Sequence, residues 1–124
     1  MLFNMMGGSA VQTASGSVTT STRGVATVNC GFRPDLVVFR ISTFTSDGDS
    51  YENMIALPIA QSQQDNGLSL NNLTWANANW NFVECWPTSI TDTGITCTFY
   101  GYDASFNGGY ASRQTYEWVA VKYT

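Results

Sequence analysis

Histidine is missing altogether from this chain. Without it no serine or cysteine has its usual activating base, so the familiar nucleophilic triads are excluded. Zinc sites fare no better. The three cysteines, Cys30, Cys85 and Cys97, lie far apart and show no CxxC spacing. Charge is also scarce, 11% of residues against roughly 25% in ordinary soluble domains. The five basic residues, Arg23, Arg33, Arg40, Arg113 and Lys122, are scattered through a chain of net charge −4. Such a distribution cannot track a phosphate backbone, which argues against nucleic-acid binding. No apolar run approaches the roughly 18 residues that a membrane-spanning helix needs. Sustained helical periodicity is absent from every window.

The missing charge is replaced by uncharged polar residues: 12 Ser, 15 Thr, 10 Asn and 5 Gln. Aromatics make up 14%, with six Tyr, four Trp and seven Phe. That composition suits an all-β protein and argues against disorder, which needs low hydrophobicity and high charge. At 124 residues the chain is long enough for one core.

The organising stretch runs from Gly31 to Ser42. Pro34 fixes its own φ and extends Arg33, so the chain enters the next strand already straightened. From Leu36 to Ile41 nearly every position is apolar, the mark of a strand central in a sheet or buried on both faces. Before it, Gln12 to Thr22 reads as an edge strand, and Val25 to Cys30 alternates as a half-buried one. After it, Asp47-Gly48 signals a hairpin turn, followed by a return strand from Tyr51 to Ala60 whose end Pro58 demotes to an edge or a bulge. A short strand is read around Leu68, Leu70 and Leu73, and another from Phe82 to Pro87. Asp92-Thr93-Gly94 makes a turn before Ile95 to Tyr102. Asp103 to Ser112 reads as a loop, and Thr115 to Tyr123 as the last strand. About eight short strands at this spacing predict an all-β, antiparallel β-sandwich, jelly-roll or H-type-lectin-like, in a single domain. The sandwich occupies residues 11–124. Residues 1–10 form an apolar, glycine-hinged arm without the basic start or apolar length of a signal peptide. Leu2, Phe3, Met5 and Met6 are its expected docking residues, with a neighbouring subunit as the simplest acceptor. Three cysteines leave at least one unpaired: a disulfide between two of them is one reading, and three free, mostly buried thiols of a protein made in a reducing cytoplasm is the favoured one.

Candidate chemistry is thin. Asp47, Asp49 and Glu52 could offer oxygens to calcium, but their spacing is not an EF-hand loop and a solvated turn explains them. A glycosidase would need paired carboxylates from Glu84, Asp103 and Glu117, yet Glu84 and Glu117 sit mid-strand, where solvent or an arginine is the simpler partner. No catalytic residue, metal site or cofactor is expected. The cluster Trp75, Asn77, Asn79, Trp80 and Asn81 is more suggestive. Indole faces stack on the C–H face of a sugar, and amides supply donors and acceptors for its hydroxyls. A subunit interface is enriched in the same residues. Tyr100, Tyr102, Phe106 and Tyr110 carry the same two readings, and Trp80 and Trp86 would be the sugar platforms of the glycosidase reading.

Val28 leads into Gly31-Phe32, Pro34 and Leu36-Val37-Val38-Phe39, and the chain closes on Tyr116, Trp118-Val119-Ala120-Val121. This pattern resembles small β-sandwich modules of bacteriophage tail-fibre and virion proteins, and its order is similar to the H-type lectin layout. The opening Met1-Leu2-Phe3-Asn4-Met5-Met6-Gly7-Gly8 is similar to the starts of phage structural proteins. The resemblance implies a non-enzymatic virion component made in the host bacterial cytoplasm. It would be a homo-oligomer, a trimer by the lectin layout, serving as a tail-fibre or receptor-binding subunit or as a capsid decoration protein. Its partners would be other virion proteins and a host-surface glycan. A free carbohydrate-binding lectin is the alternative. No sugar-binding residue is carried over from the family.

Overall fold

Alternation decides the architecture. In the computed structural model, which describes residues 11–44, 50–59, 82–102 and 109–123, the strands Val25–Asn29, Leu36–Phe44, Ser50–Pro58 and Thr115–Lys122 bury alternate side chains. Eight strands are described: β1 (Gln12–Thr19), β2 (Val25–Asn29), β3 (Leu36–Phe44), β4 (Ser50–Pro58), β5 (Phe82–Thr91), β6 (Gly94–Tyr102), β7 (Gly109–Tyr110) and β8 (Thr115–Lys122). They form two antiparallel sheets that pack as a β-sandwich, the fold class the sequence predicts. The first sheet has the order β1-β8-β3-β4, and the second has β2-β6-β5 with β7 also on β6.

The core lies between the inner faces. Val37, Phe39 and Ile41 of β3, Ile55 and Leu57 of β4, and Tyr116, Trp118 and Ala120 of β8 meet Ala26 and Val28 of β2, Val83 and Cys85 of β5, and Ile95, Cys97 and Phe99 of β6. Phe99 joins the sheets most directly. Its ring stands edge-on to Phe39 at 5.0 Å and packs on Tyr116 at 4.8 Å. Such aromatic pairs stabilise beyond the area they bury. All three cysteines are free, with Cys85 and Cys97 buried. Burial pushes the Cys85 thiol well up, and its hydrogen bond with Cys97 adds to the shift.

β3 is central, between β8 and β4, but it is not buried on both faces. Leu36 and Val38 are half-buried, and Arg40 faces solvent. The lead-in before it does more than straighten the chain. Asp35 donates its N–H to Val121 O, receives the Ile59 N–H at its carbonyl, and takes the Tyr123 N–H on its carboxylate. One residue thus ties three strand ends together. β5 runs on past Pro87, where the sequence ends it, through a register shift between Pro87 and Ser89. A proline at an edge-strand bulge removes no ladder bond. The short strand expected around Leu68 to Leu73, the Asp47-Gly48 turn and the N-terminal arm with Leu2, Phe3, Met5 and Met6 lie outside the described residues. So does the link that carries Trp75, Asn77, Asn79, Trp80 and Asn81. No helix among the described residues is long and apolar enough to cross a membrane.

Candidate functional site

One edge of β6 is served by two pieces of chain. β2 pairs with its first half, from Gly94 to Thr98, and β7 with its far end, where Tyr100 faces Tyr110 and Gly101 faces Gly109. The pieces meet at Phe99, whose N–H donates to Gly24 O (2.8 Å) and whose carbonyl accepts from Ala111 N (3.0 Å). Gly24 sits at φ 75°, and a Cβ there would lie 2.3 Å from Phe99 O, so only glycine allows this close approach. The turns flanking the splice are also joined. Thr20, buried, donates its hydroxyl to Ala111 O and accepts the Gln114 N–H, and the Arg113 N–H donates to Ser21 O.

This splice puts a row of aromatic rings on the outer face of the second sheet. Cys85 and Phe99 point inward, so their neighbours Trp86 and Tyr100 point outward. Trp86 is half-buried beside Tyr100, with ring centroids 6.4 Å apart. Tyr100 meets Tyr110 edge-to-face at 5.6 Å. The Arg23 guanidinium lies over the Tyr110 ring at 5.4 Å, a cation–π contact. Tyr100 and Tyr110 remain 39% and 42% exposed, enough for both rings to offer contact area to a ligand. Hydroxyls border the row: Thr98 pairs in register with Trp86, and Thr27 and Thr96 share a hydrogen bond at 3.0 Å. Glu84 lies opposite Tyr100 in the ladder. At the Tyr110 end stand Arg23 and the exposed Arg113, the only non-glycine residue with positive φ among those described. Neither makes an ion pair among the described residues.

The outer face of the first sheet is different. A shallow depression of about 590 Å³ is lined by Ser15, Gly16, Ser17, Val38, Arg40, Met54, Glu117, Trp118 and Val119. Its one cation is already engaged: Arg40 bonds Glu52 at 2.6 Å and Glu117 at 3.1 Å, and both carboxylates hold its pKa up. Glu52 is thereby occupied, while Asp47 and Asp49 lie outside the described residues. No group of three or more metal-ligating side chains occurs among the described residues.

Glu84 and Glu117 belong to opposite outer faces of the sandwich and cannot flank one sugar ring. Asp103 lies outside the described residues. Of the residues flagged in the sequence as sugar platforms, the structure brings together Trp86, Tyr100 and Tyr110; the cluster from Trp75 to Asn81 is not described. Sequence reasoning missed Arg23 and the splice, because β7 is too short to show a period. The one available signal was the outward parity of Trp86 and Tyr100. No family model matches the chain, and neither the curated proteins nor the solved structures contain a match.

Proposed function

We propose that this chain is a non-enzymatic, homo-oligomeric subunit of a bacteriophage virion that attaches to a host-surface glycan through the aromatic row of its second sheet. The observation that carries the binding reading is the exposed, pre-packed row Trp86–Tyr100–Tyr110. Aromatic faces give contact area at little cost in side-chain entropy. The rings are already held by one another, so little ordering remains when a ligand arrives. The exposed Thr27, the half-buried Thr96 and Glu84 along the border supply donors and acceptors that orient a sugar. The virion setting rests on the likeness of the central and closing strands to phage modules, and a receptor-binding role fits a binding face better than a capsid decoration role does.

The test is glycan-array screening of the full chain, followed by titration of the best glycan against Tyr100→Ala and Trp86→Ala. Each truncation is expected to weaken binding tenfold or more, on the order of a hot-spot contact. Melting should shift little for Tyr100→Ala, whose ring faces outward. Binding that survives both substitutions rejects the row as the site. Absence of any glycan binding rejects the attachment role. A free lectin would use the same row, and finding the protein in purified phage particles separates the two.

A further inference from the structure

A β-sandwich of open sheets has four edges, and natural proteins guard such edges with charge, proline, bulges or brevity. Among the described strands, three of the four edges are guarded. β4 carries Glu52 and ends on Pro58. β5 carries Glu84, Pro87 and the register shift after it. The edge formed by β2 and β7 is short and broken at Gly24. The fourth edge, β1, has none of these devices. Its eight residues, QTASGSVT, contain no charge and no proline, and they pair with β8 in unbroken register from Gln12↔Lys122 to Thr19↔Thr115. No described residue pairs with its other side.

We infer that β1 is a self-association edge, on which a second copy of this chain adds its own β1 antiparallel across a two-fold axis. The edge chemistry selects a second copy. A neutral edge offers no charge for a different partner to read, and two copies meet without like-charge repulsion. From Thr13 to Thr19 no side chain is larger than valine, so the backbones can approach. An axis perpendicular to the sheet keeps the two outer faces on one side and must pass through a residue that pairs with itself. With the axis at Gly16, Ser15 stands against Ser17 of the second copy, Thr13 against Thr19, and Ala14 against Val18. Outer hydroxyls then face hydroxyls, and inner apolar groups face apolar groups. The Trp118 indole approaches Gly16, to within 3.0 Å of where a Cβ would lie. The joint therefore runs beside that ring in both copies, and the two depressions, each bordered by Ser15, Gly16 and Ser17, become continuous. The assembly has two-fold symmetry in place of the three-fold one that the lectin likeness implies.

Sedimentation of the full chain over a hundredfold range of concentration tests this, beside Ser15→Lys. Ser15 is exposed, so that substitution leaves the monomer folded while setting charge on the joint. The wild type should pass from monomer to dimer, the variant should stay monomeric with the melting temperature of the wild type at its lowest, monomeric concentration, and alternate β1 amides should gain exchange protection only in the wild-type dimer. A wild type that is monomeric throughout, a trimer, or a dimer indifferent to Ser15→Lys each overturns the inference.

Discussion

Replacing Gly24 by alanine should unfold more of this protein than its size suggests, and Gly31→Ala measures by how much. Both glycines have positive φ, 75° and 87°, so alanine at either position carries the same left-handed backbone cost of roughly 1–2 kcal/mol. Alanine also stiffens the unfolded chain and offsets about 0.5 kcal/mol of that. Around Gly31 nothing lies within 4 Å of the new methyl, so the net loss there should be about 1 kcal/mol. At Gly24 the methyl would sit 2.3 Å from Phe99 O and 3.2 Å from Ala111 N, which are backbone atoms that no rotamer change can move away. Relief requires β6 to draw back, and the bonds Phe99 N–H to Gly24 O and Ala111 N–H to Phe99 O then lengthen or break. Phe99 and Ala111 are fully buried, so water cannot replace those partners, and each loss costs about 1–3 kcal/mol. The sum for Gly24→Ala is about 4 kcal/mol, a large share of the 5–15 kcal/mol typical of a domain. Urea titration at constant slope measures both variants, and the difference of about 3 kcal/mol corresponds to roughly 12 °C in melting temperature. Equal losses within about 0.5 kcal/mol would refute the splice, since only its close approach separates the two sites.

Thr20→Val keeps the shape but leaves Ala111 O and the Gln114 N–H without their shared hydroxyl. A loss of about 2–4 kcal/mol is expected in the same titration, and glycan affinity should fall with it as the turn beneath Tyr110 loosens. Burial raises the Cys85 thiol well above its ordinary value of 9.0, so the native state keeps its proton where the unfolded chain releases it. That contribution is fully present below about pH 9 and is lost as pH rises, at about 1.4 kcal/mol per unit. Between about pH 8 and pH 10 urea stability should fall by about 1.4 kcal/mol less in Cys85→Ala than in the wild type, and parallel profiles would count against it.

Much of the fold is legible because most of its strands are amphipathic. Val25 to Asn29 and Thr115 to Lys122 alternate cleanly, and the structure buries the positions the alternation marks. β3 is central in its sheet, one of the two readings its composition allows, and is not buried on both faces. Leu36 and Val38 are apolar on the outer face, so a run that suggests burial on both sides proves half-covered. β5 is underestimated at Pro87 because a bulge cannot be seen in periodicity. The site was legible only in pieces. Trp86 and Tyr100 show as aromatics at outward parity while Tyr110 sits in what reads as a loop, and what joins the three is cross-strand pairing between residues far apart in sequence. Nothing local in Gly109-Tyr110 announces a strand, because its pairing depends on Gly24 approaching Phe99 from elsewhere in the chain.

The two proposals constrain each other through geometry. In a sandwich the outer faces of the two sheets point in opposite directions. If two copies join at β1 about an axis perpendicular to the first sheet, both first sheets face one way and both second sheets face the other. The two aromatic rows then lie on the same side of the dimer, and neither is covered by the joint. A glycan-coated surface would meet both at once, so the second contact becomes intramolecular and apparent affinity can rise by about 10²–10⁴ without any new contact. Soluble glycan cannot bridge the rows and should bind wild type and Ser15→Lys equally. On an immobilised glycan layer the wild type should be retained far longer than the monomeric variant, and the gap should close as glycan density falls below the spacing of the rows. Equal retention at high density would mean that the rows do not share a side, and the two-fold axis placed at β1 would then be wrong even if a dimer forms.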